Sequence, residues 1–267
     1  MTDDSPISFV QDGAVSAPGK SFLIGEYAVL EGHEAIVTAV DVRAYAHAPR
    51  AEHDEKPSPD SPFVAAAIER VGAWLREHGH PVPPPEAIPV ISTVGFTAGN
   101  RKLGLGSSAA VTAAAVGWYL RAAGLDLEAS DVRKAALAIA RDAHVMAQDG
   151  RGSGADVATA VFGGTVRFSS QGGVQPLKLP DWIHIGFFDA GAPANTGSFI
   201  KAIEAGAARE PGDYEMAITQ LASASRRFQS ALAWDATPDT AFGDIQDACR
   251  RHNDGLRKLQ ELAAAHI

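Results

Sequence analysis

Residues Asn100–Leu120 read NRKLGLGSSAAVTAAAVGWYL. Gly104 and Gly106, one residue apart, lead into Ser107 and Ser108 and then into an almost unbroken run of small, apolar helix formers. Glycine lets the backbone take positive φ and approach a ligand closely. The first turn of a helix leaves N–H groups without intrahelical partners and carries a partial positive charge. The pattern predicts a loop feeding a helix N-terminus, where backbone N–H groups can hold an anion. A serine hydroxyl there can cap the helix or reach a phosphate or a metal ion. The same residues also suit a plain glycine loop ahead of a capped, buried helix, and the segment alone leaves both readings open.

The 267 residues are enough for one large domain or two lobes with a substantial core. A composition of 46% hydrophobic and 21% charged residues is that of a globular protein. The 32 acidic residues outnumber the 23 basic ones, a formal charge of −9, which argues against a broad nucleic-acid surface. The single Cys249 excludes an intrachain disulfide and a cysteine zinc site and suits a reducing compartment. The acidic start MTDDSPISFV is unlike a secretory signal, and Ala109–Leu120 is far shorter than the ~20 apolar residues that span a bilayer. A cytoplasmic protein with no membrane or nucleic-acid partner is expected.

Strand-like stretches (7–10, 15–16, 22–24, 27–30 and 35–48) fill the first 50 residues, broken at Asp12–Gly13, Pro18–Gly19 and Glu31–Gly32. The polar, proline-rich stretch 51–62 reads as a surface loop and a candidate lid. Apolar spacing predicts helices over 63–78, from the opening segment to Gly124, and from Ser130, a plausible N-cap, to Gln148. A strand is expected at 88–94. A second glycine loop, Gly150–Gly154, leads into a helix at 155–161. A hairpin is expected around Gly172–Gly173 and a strand at His184–Asp189. From Gly197 on the pattern is helical (198–207, 213–233 and 239–265, the last broken near Asn253–Gly255). Strands first and helices later favour α+β over a doubly wound sheet.

Several familiar motifs fail. Gly19-Lys20-Ser21 resembles the end of a P-loop, but Ala14 stands where that motif needs glycine and Pro18 removes an N–H from the cradle. Gly104-Leu105-Gly106-Ser107-Ser108-Ala109 fits a relaxed dinucleotide fingerprint, yet it lacks the preceding strand and the acidic residue on a following one. The nine histidines show no zinc-hydrolase spacing, and His144, in a mainly apolar helix, reads as structural.

Read together, three segments carry a specific resemblance. Ala17-Pro18-Gly19-Lys20 with Ile24-Gly25-Glu26-Tyr27-Ala28-Val29-Leu30 resembles the first signature of the GHMP kinase family. Lys102-Leu103-Gly104-Leu105-Gly106-Ser107-Ser108-Ala109-Ala110 is similar to that family's phosphate-binding loop. Gly152-Ser153-Gly154-Ala155-Asp156-Val157-Ala158 is similar to the segment bearing its catalytic aspartate. Within the family, Gly-Glu-Tyr-Ala-Val-Leu-Glu-Gly at 25–32 and the 152–158 segment look most like phosphomevalonate kinases, with mevalonate kinases next. His144 stands about where mevalonate kinases commonly carry a metal-binding glutamate, a departure that favours the former group.

The resemblance implies a two-lobed α+β fold, with an N-terminal ATP-binding lobe of ribosomal protein S5 domain 2-like type (1–170) and a ferredoxin-like C-terminal lobe (171–267). The family's third glycine-rich motif is not found in this sequence, so that second lobe is expected to be incomplete. The implied activity is ATP- and Mg²⁺-dependent phosphoryl transfer to phosphomevalonate in isoprenoid precursor synthesis, with mevalonate or another small alcohol as the alternative acceptor. A non-catalytic nucleotide or metabolite binder is the competing class. Asp156 and Lys20 are the implied catalytic pair, Asp156 facing the acceptor and Lys20 stabilising charge beside it. Lys102, Gly104, Leu105, Gly106, Ser107, Ser108 and Ala109, with Arg101 adding charge, are implied to hold ATP. Ser108 is the implied Mg²⁺ ligand, and Ser153, Gly154, Asn195 and Thr196 the acceptor side. The partner is a small molecule, and a homodimer is possible.

Overall fold

The computed structural model describes residues 5–9, 13–49, 57–58, 60–84, 87–148, 150, 152–189, 196–232 and 237–264. The first half holds β1 (Ser8–Phe9), β2 (Val15–Ile24), β3 (Ala35–His47), α1 (Pro62–Glu77), β4 (Val90–Ser92), β5 (Thr97–Ala98), β6 (Arg101–Lys102) and α2 (Ser107–Ala122). It continues through α3 (Ser130–Ala147), α4 (Ala155–Phe162), β7 (Thr165–Ser169) and β8 (Gly173–Leu177) to α5 (Thr196–Arg209), α6 (Pro211–Ala231) and α7 (Pro238–Ala264). The strand order is β1-β2-β3-β7-β8, with β4 also on β3, while β5 and β6 form a separate ribbon. Antiparallel pairing sets Ser16 opposite Ser8, Ala46 opposite Ile91 and Ala98 opposite Arg101. Early strands and late helices make this the α+β arrangement that the sequence predicts.

Two compact units are present, Met1–Ser21 with Thr38–Val166 and Phe22–Val37 with Arg167–Ile267. In the first, α1, α2, α3 and α4 pack on one another around a core that includes Val15, Ala17, Leu75, Leu120 and Val161. The alanine-rich helix α2 lies at the centre, with Ala109, Ala110, Ala113, Ala114 and Ala115 fully buried. Small side chains let neighbouring elements approach, and Gly117 carries this furthest, since a Cβ there would stand 2.5 Å from Ile7 Cδ1.

In the second unit α5, α6 and α7 pack through Ile203, Leu221, Leu259 and Leu262. The segment predicted as a strand at 27–30 is instead a 3-10 turn, Ala28–Glu31. Gly25 (φ 92°) and Tyr27 (φ 64°) turn the chain back on itself, and Gly32 (φ 84°) closes the turn. The buried His252 of α7 holds this bend, accepting the Gly25 N–H at Nε2 (3.2 Å), while Tyr214 donates to Glu31 (2.6 Å).

Three other expectations change. Pro18 and Gly19 lie inside β2 instead of ending a strand. β1 pairs with β2 only at Val15 and Ser16, so Pro18 falls where that side of β2 has no β1 neighbour and a missing N–H is tolerated. Helix α7 runs unbroken through Gly255, because that glycine is a point of close approach: a Cβ there would stand 2.8 Å from Leu221. Among the described residues, 184–189 join no strand, and Phe188 is 93% exposed. A strand makes no internal hydrogen bonds, so apolar alternation without a partner edge does not become one. The expected lid at 51–62 lies largely outside the described residues.

Candidate active site

The opening segment folds as its residues require. The β5–β6 ribbon turns at Gly99 (φ 59°) and Asn100, bringing Arg101 and Lys102 to the edge of the loop, with Lys102 exposed and Arg101 half-buried. Gly104 (φ 75°) and Gly106 (φ 74°) both take the left-handed conformation, and Gly106 occupies the N-cap position of α2. The Ala110 N–H closes the first helical bond onto Gly106 O at 3.1 Å. By helix geometry the N–H groups of Ser107, Ser108 and Ala109 therefore have no acceptor within α2. A Cβ on Gly104 would meet nothing within 4 Å, so this side of the loop is open.

The loop is fastened to β2. Lys20 N–H donates to Leu105 O at 2.9 Å. One residue earlier, a Cβ on Gly19 would stand 2.6 Å from that same carbonyl oxygen and 2.8 Å from the Phe96 ring. The Lys20 side chain then runs along the loop, its Cγ and Cε each 2.8 Å from where a Gly106 Cβ would sit. Two glycines thus let a strand and a loop far apart in sequence touch, and a lysine stem fills the space they leave.

Opposite, Gly154 (φ 83°) is the N-cap residue of α4, and half-buried Asp156 lies in the first turn. Ser153 Oγ accepts the Ala155 N–H at 3.2 Å, which fixes the entry to the helix. Ala109 is fully buried beneath the phosphate-side loop. Of the remaining predicted site residues, Thr196 opens α5 in the second unit, and Asn195 lies outside the described residues.

From its helix alone His144 reads as structural, while the family resemblance sets it about where mevalonate kinases carry a metal-binding glutamate; the structure brings it to the phosphate-side loop. Only 2% exposed, it stacks on Phe63 with ring centroids 5.5 Å apart, and its Nε2 shares a 3.2 Å hydrogen bond with Ser108 Oγ. Burial pushes its pKa below the usual imidazole value, the Asp156 charge pulls it back up, and the Lys20 charge lowers it again. His144 thus bonds Ser108 and lies within electrostatic reach of Lys20 and Asp156, both members of the predicted catalytic pair. Arg141, one turn earlier on α3, was missed by the sequence reading. Its Nε would stand 2.7 Å from a Cβ on Gly154, so the side chain lies across the entry to α4. The signal available in the sequence was their i, i+3 spacing just ahead of the second glycine loop, which puts both on one helix face.

The loop fits a polyphosphate: two left-handed glycines, an open backbone and a helix N-terminus with Lys20 alongside form a concave anion cradle. Ser108 and Asp156 offer oxygen donors to a hard cation, and among the described residues no group of three or more His, Cys, Asp or Glu could hold a metal ion; this suits Mg²⁺, an ion commonly held by one or two protein oxygens together with ligand phosphates.

Residues 66–164 match the family model described as GHMP kinases N terminal domain. The chain is 32% identical over 190 residues to phosphomevalonate kinase from Streptomyces sp. (strain CL190), covering 58% of this chain and 48% of that one. It is 29% identical over 174 residues to mevalonate kinase from Archaeoglobus fulgidus, covering 61% and 56% respectively. It spans about half the length of these curated relatives. The solved structure of Streptococcus pneumoniae phosphomevalonate kinase in complex with phosphomevalonate and AMPPNP shares its fold, with a TM-score of 0.69 and 18% identity over 92% of this chain and 80% of that one. No helix among the described residues is long and apolar enough to cross a membrane.

Proposed function

We propose that the protein is an ATP-dependent phosphotransferase acting on a small molecule, with 5-phosphomevalonate as the acceptor; the match of residues 66–164 to the model described as GHMP kinases N terminal domain supports the reaction class. The observation that carries this reading is the cluster in which Lys20 lies against Gly106 while His144 bonds Ser108 and responds to the charges of Asp156 and Lys20. The identity to a phosphomevalonate kinase supports the choice of acceptor.

In this reading the backbone of Gly104–Ala109 and the N-terminus of α2 hold the ATP phosphates, with Arg101 and Lys102 adding positive charge at the rim. Ser108 would hold Mg²⁺, which when bound neutralises charge on the polyphosphate. Asp156 orients the acceptor oxygen and accepts its proton if it carries one. That oxygen forms the new bond to the γ-phosphorus as the bond to the β-phosphate oxygen breaks, and ADP leaves. Lys20 stabilises the charge spread over the transferring group. Ser153 and Gly154 shape the acceptor side.

The test is coupled ADP release with Mg²⁺-ATP and a panel of 5-phosphomevalonate, mevalonate, homoserine and galactose. Turnover with 5-phosphomevalonate well above the others is expected. Turnover with mevalonate alone keeps the kinase reading and changes the acceptor. ATP binding without acceptor-dependent ADP release refutes it in favour of a non-catalytic binder.

A further inference from the structure

Among the described residues, Arg141 is a cation beside the second glycine loop to which the proposed mechanism gives no role. It projects from α3 on the same face as His144, three residues on, and is half-buried. Its Cγ and Cδ would each lie 3.3 Å, and its Nε 2.7 Å, from a Cβ on Gly154. Glycine is favoured there by φ 83°, and the arginine side chain occupies the space its missing Cβ leaves. The contact sits two residues before Asp156. A guanidinium is charged at every working pH, and its planar fork matches phosphate oxygens.

The charges around Asp156 give this position its meaning. An alcohol acceptor brings no charge to the carboxylate. A phosphate monoester brings about −1.5 to −2 at pH 7, and it must approach both Asp156 and a γ-phosphate. Lys20 lies along the phosphate loop at Gly106 and is taken up with the transferring group. A second cation on the acceptor side is needed for a phosphorylated acceptor and is superfluous for an alcohol. We propose that Arg141 binds the phosphate of the acceptor, so that this site selects a phosphate monoester over the corresponding unphosphorylated alcohol. This rests on the kinase reading for its setting but makes a separate claim about binding.

The experiment is isothermal titration of the full chain with 5-phosphomevalonate, mevalonate, inorganic phosphate and AMPPNP, alongside steady-state kinetics, for wild type, Arg141→Gln and Arg141→Lys. Wild type is expected to bind 5-phosphomevalonate at least ~30-fold more tightly than mevalonate, the range of a charge-assisted bidentate contact. Arg141→Gln removes that preference while AMPPNP affinity stays within about threefold, and Arg141→Lys retains part of it, since lysine keeps the charge without the fork. In turnover the loss falls on the acceptor KM. Equal loss for both acceptors, or for AMPPNP, overturns the proposal, as does a wild type that binds the two acceptors alike, a result that needs no variant. Tight binding of inorganic phosphate that survives Arg141→Gln also overturns it, by locating the phosphate elsewhere. Arg141-dependent binding without any turnover keeps the proposal and defeats the kinase reading. Turnover of mevalonate alone does the reverse.

Discussion

Gly19→Ala isolates the contact on which the phosphate loop is hung. A methyl group there would stand 2.6 Å from Leu105 O, 2.8 Å from the Phe96 ring and 3.1 Å from Val40 Cγ2. Two of these neighbours are a backbone oxygen and a buried ring, so neither can rotate away cheaply, and the loop must retreat from β2. Overpacking of this kind costs ~1–3 kcal/mol. Retreat of Leu105 also stretches the 2.9 Å bond from Lys20 N–H, worth ~1 kcal/mol. Together they destabilise the first unit by ~2–4 kcal/mol, which lowers its melting midpoint by roughly 4–16 °C. The same retreat misplaces the loop and the Lys20 stem by a distance of order 1 Å, and catalysis falls by about 100-fold. Differential scanning calorimetry reads the first effect, and AMPPNP titration with coupled ADP release reads the second. Gly79→Ala, just past the end of α1, is the control: it has a positive φ of 69° and no neighbour within 4 Å, so it costs stability without touching the loop. An unchanged midpoint with unchanged AMPPNP affinity in Gly19→Ala would show that the strand does not set the loop's position.

Asp156→Ala is expected to lower turnover by ~10²–10⁴-fold in the coupled assay while the fold, followed by circular dichroism, is retained; near-normal turnover removes the role assigned to it. Burial holds the His144 pKa below its unfolded value of 6.5, so the unfolded chain binds the extra proton first and stability falls as pH drops through 6.5 toward the folded pKa. His144→Gln should flatten that part of the profile in urea unfolding at pH 5 to 8, and an identical slope in the variant shows that other groups dominate. Gly255→Ala places a methyl 2.8 Å from Leu221 and should cost the second unit ~1–3 kcal/mol, read as a lower urea midpoint; a neutral effect means that α6 and α7 are less tightly joined than they look.

What local chemistry encodes was legible in the sequence. Gly104, Gly106 and the alanine run specify a left-handed loop and a helix within twenty residues, because backbone freedom, helix propensity and capping act over single turns. The Gly150–Gly154 loop and α4 follow for the same reason, and family resemblance tied them to Lys20. Pro18–Gly19 misled, since a proline and a glycine that normally break a strand are allowed where one side of β2 has no β1 neighbour and a loop must come within touching distance. The 184–189 segment misled in the opposite sense, because its alternation describes a strand only if another strand supplies hydrogen bonds. Likewise, His144 reads as a core histidine from its helix alone; its bond to Ser108 joins residues 36 apart and exists only because α2 and α3 pack side by side. Arg141 at Gly154 and Lys20 at Gly106 are of the same kind. The sequence by itself determined the loops, the helices and the chemical types that could serve the site. Tertiary structure decided which charges meet, because burial and distance, the quantities that set a pKa or hold an anion, belong to packed elements and have no local code.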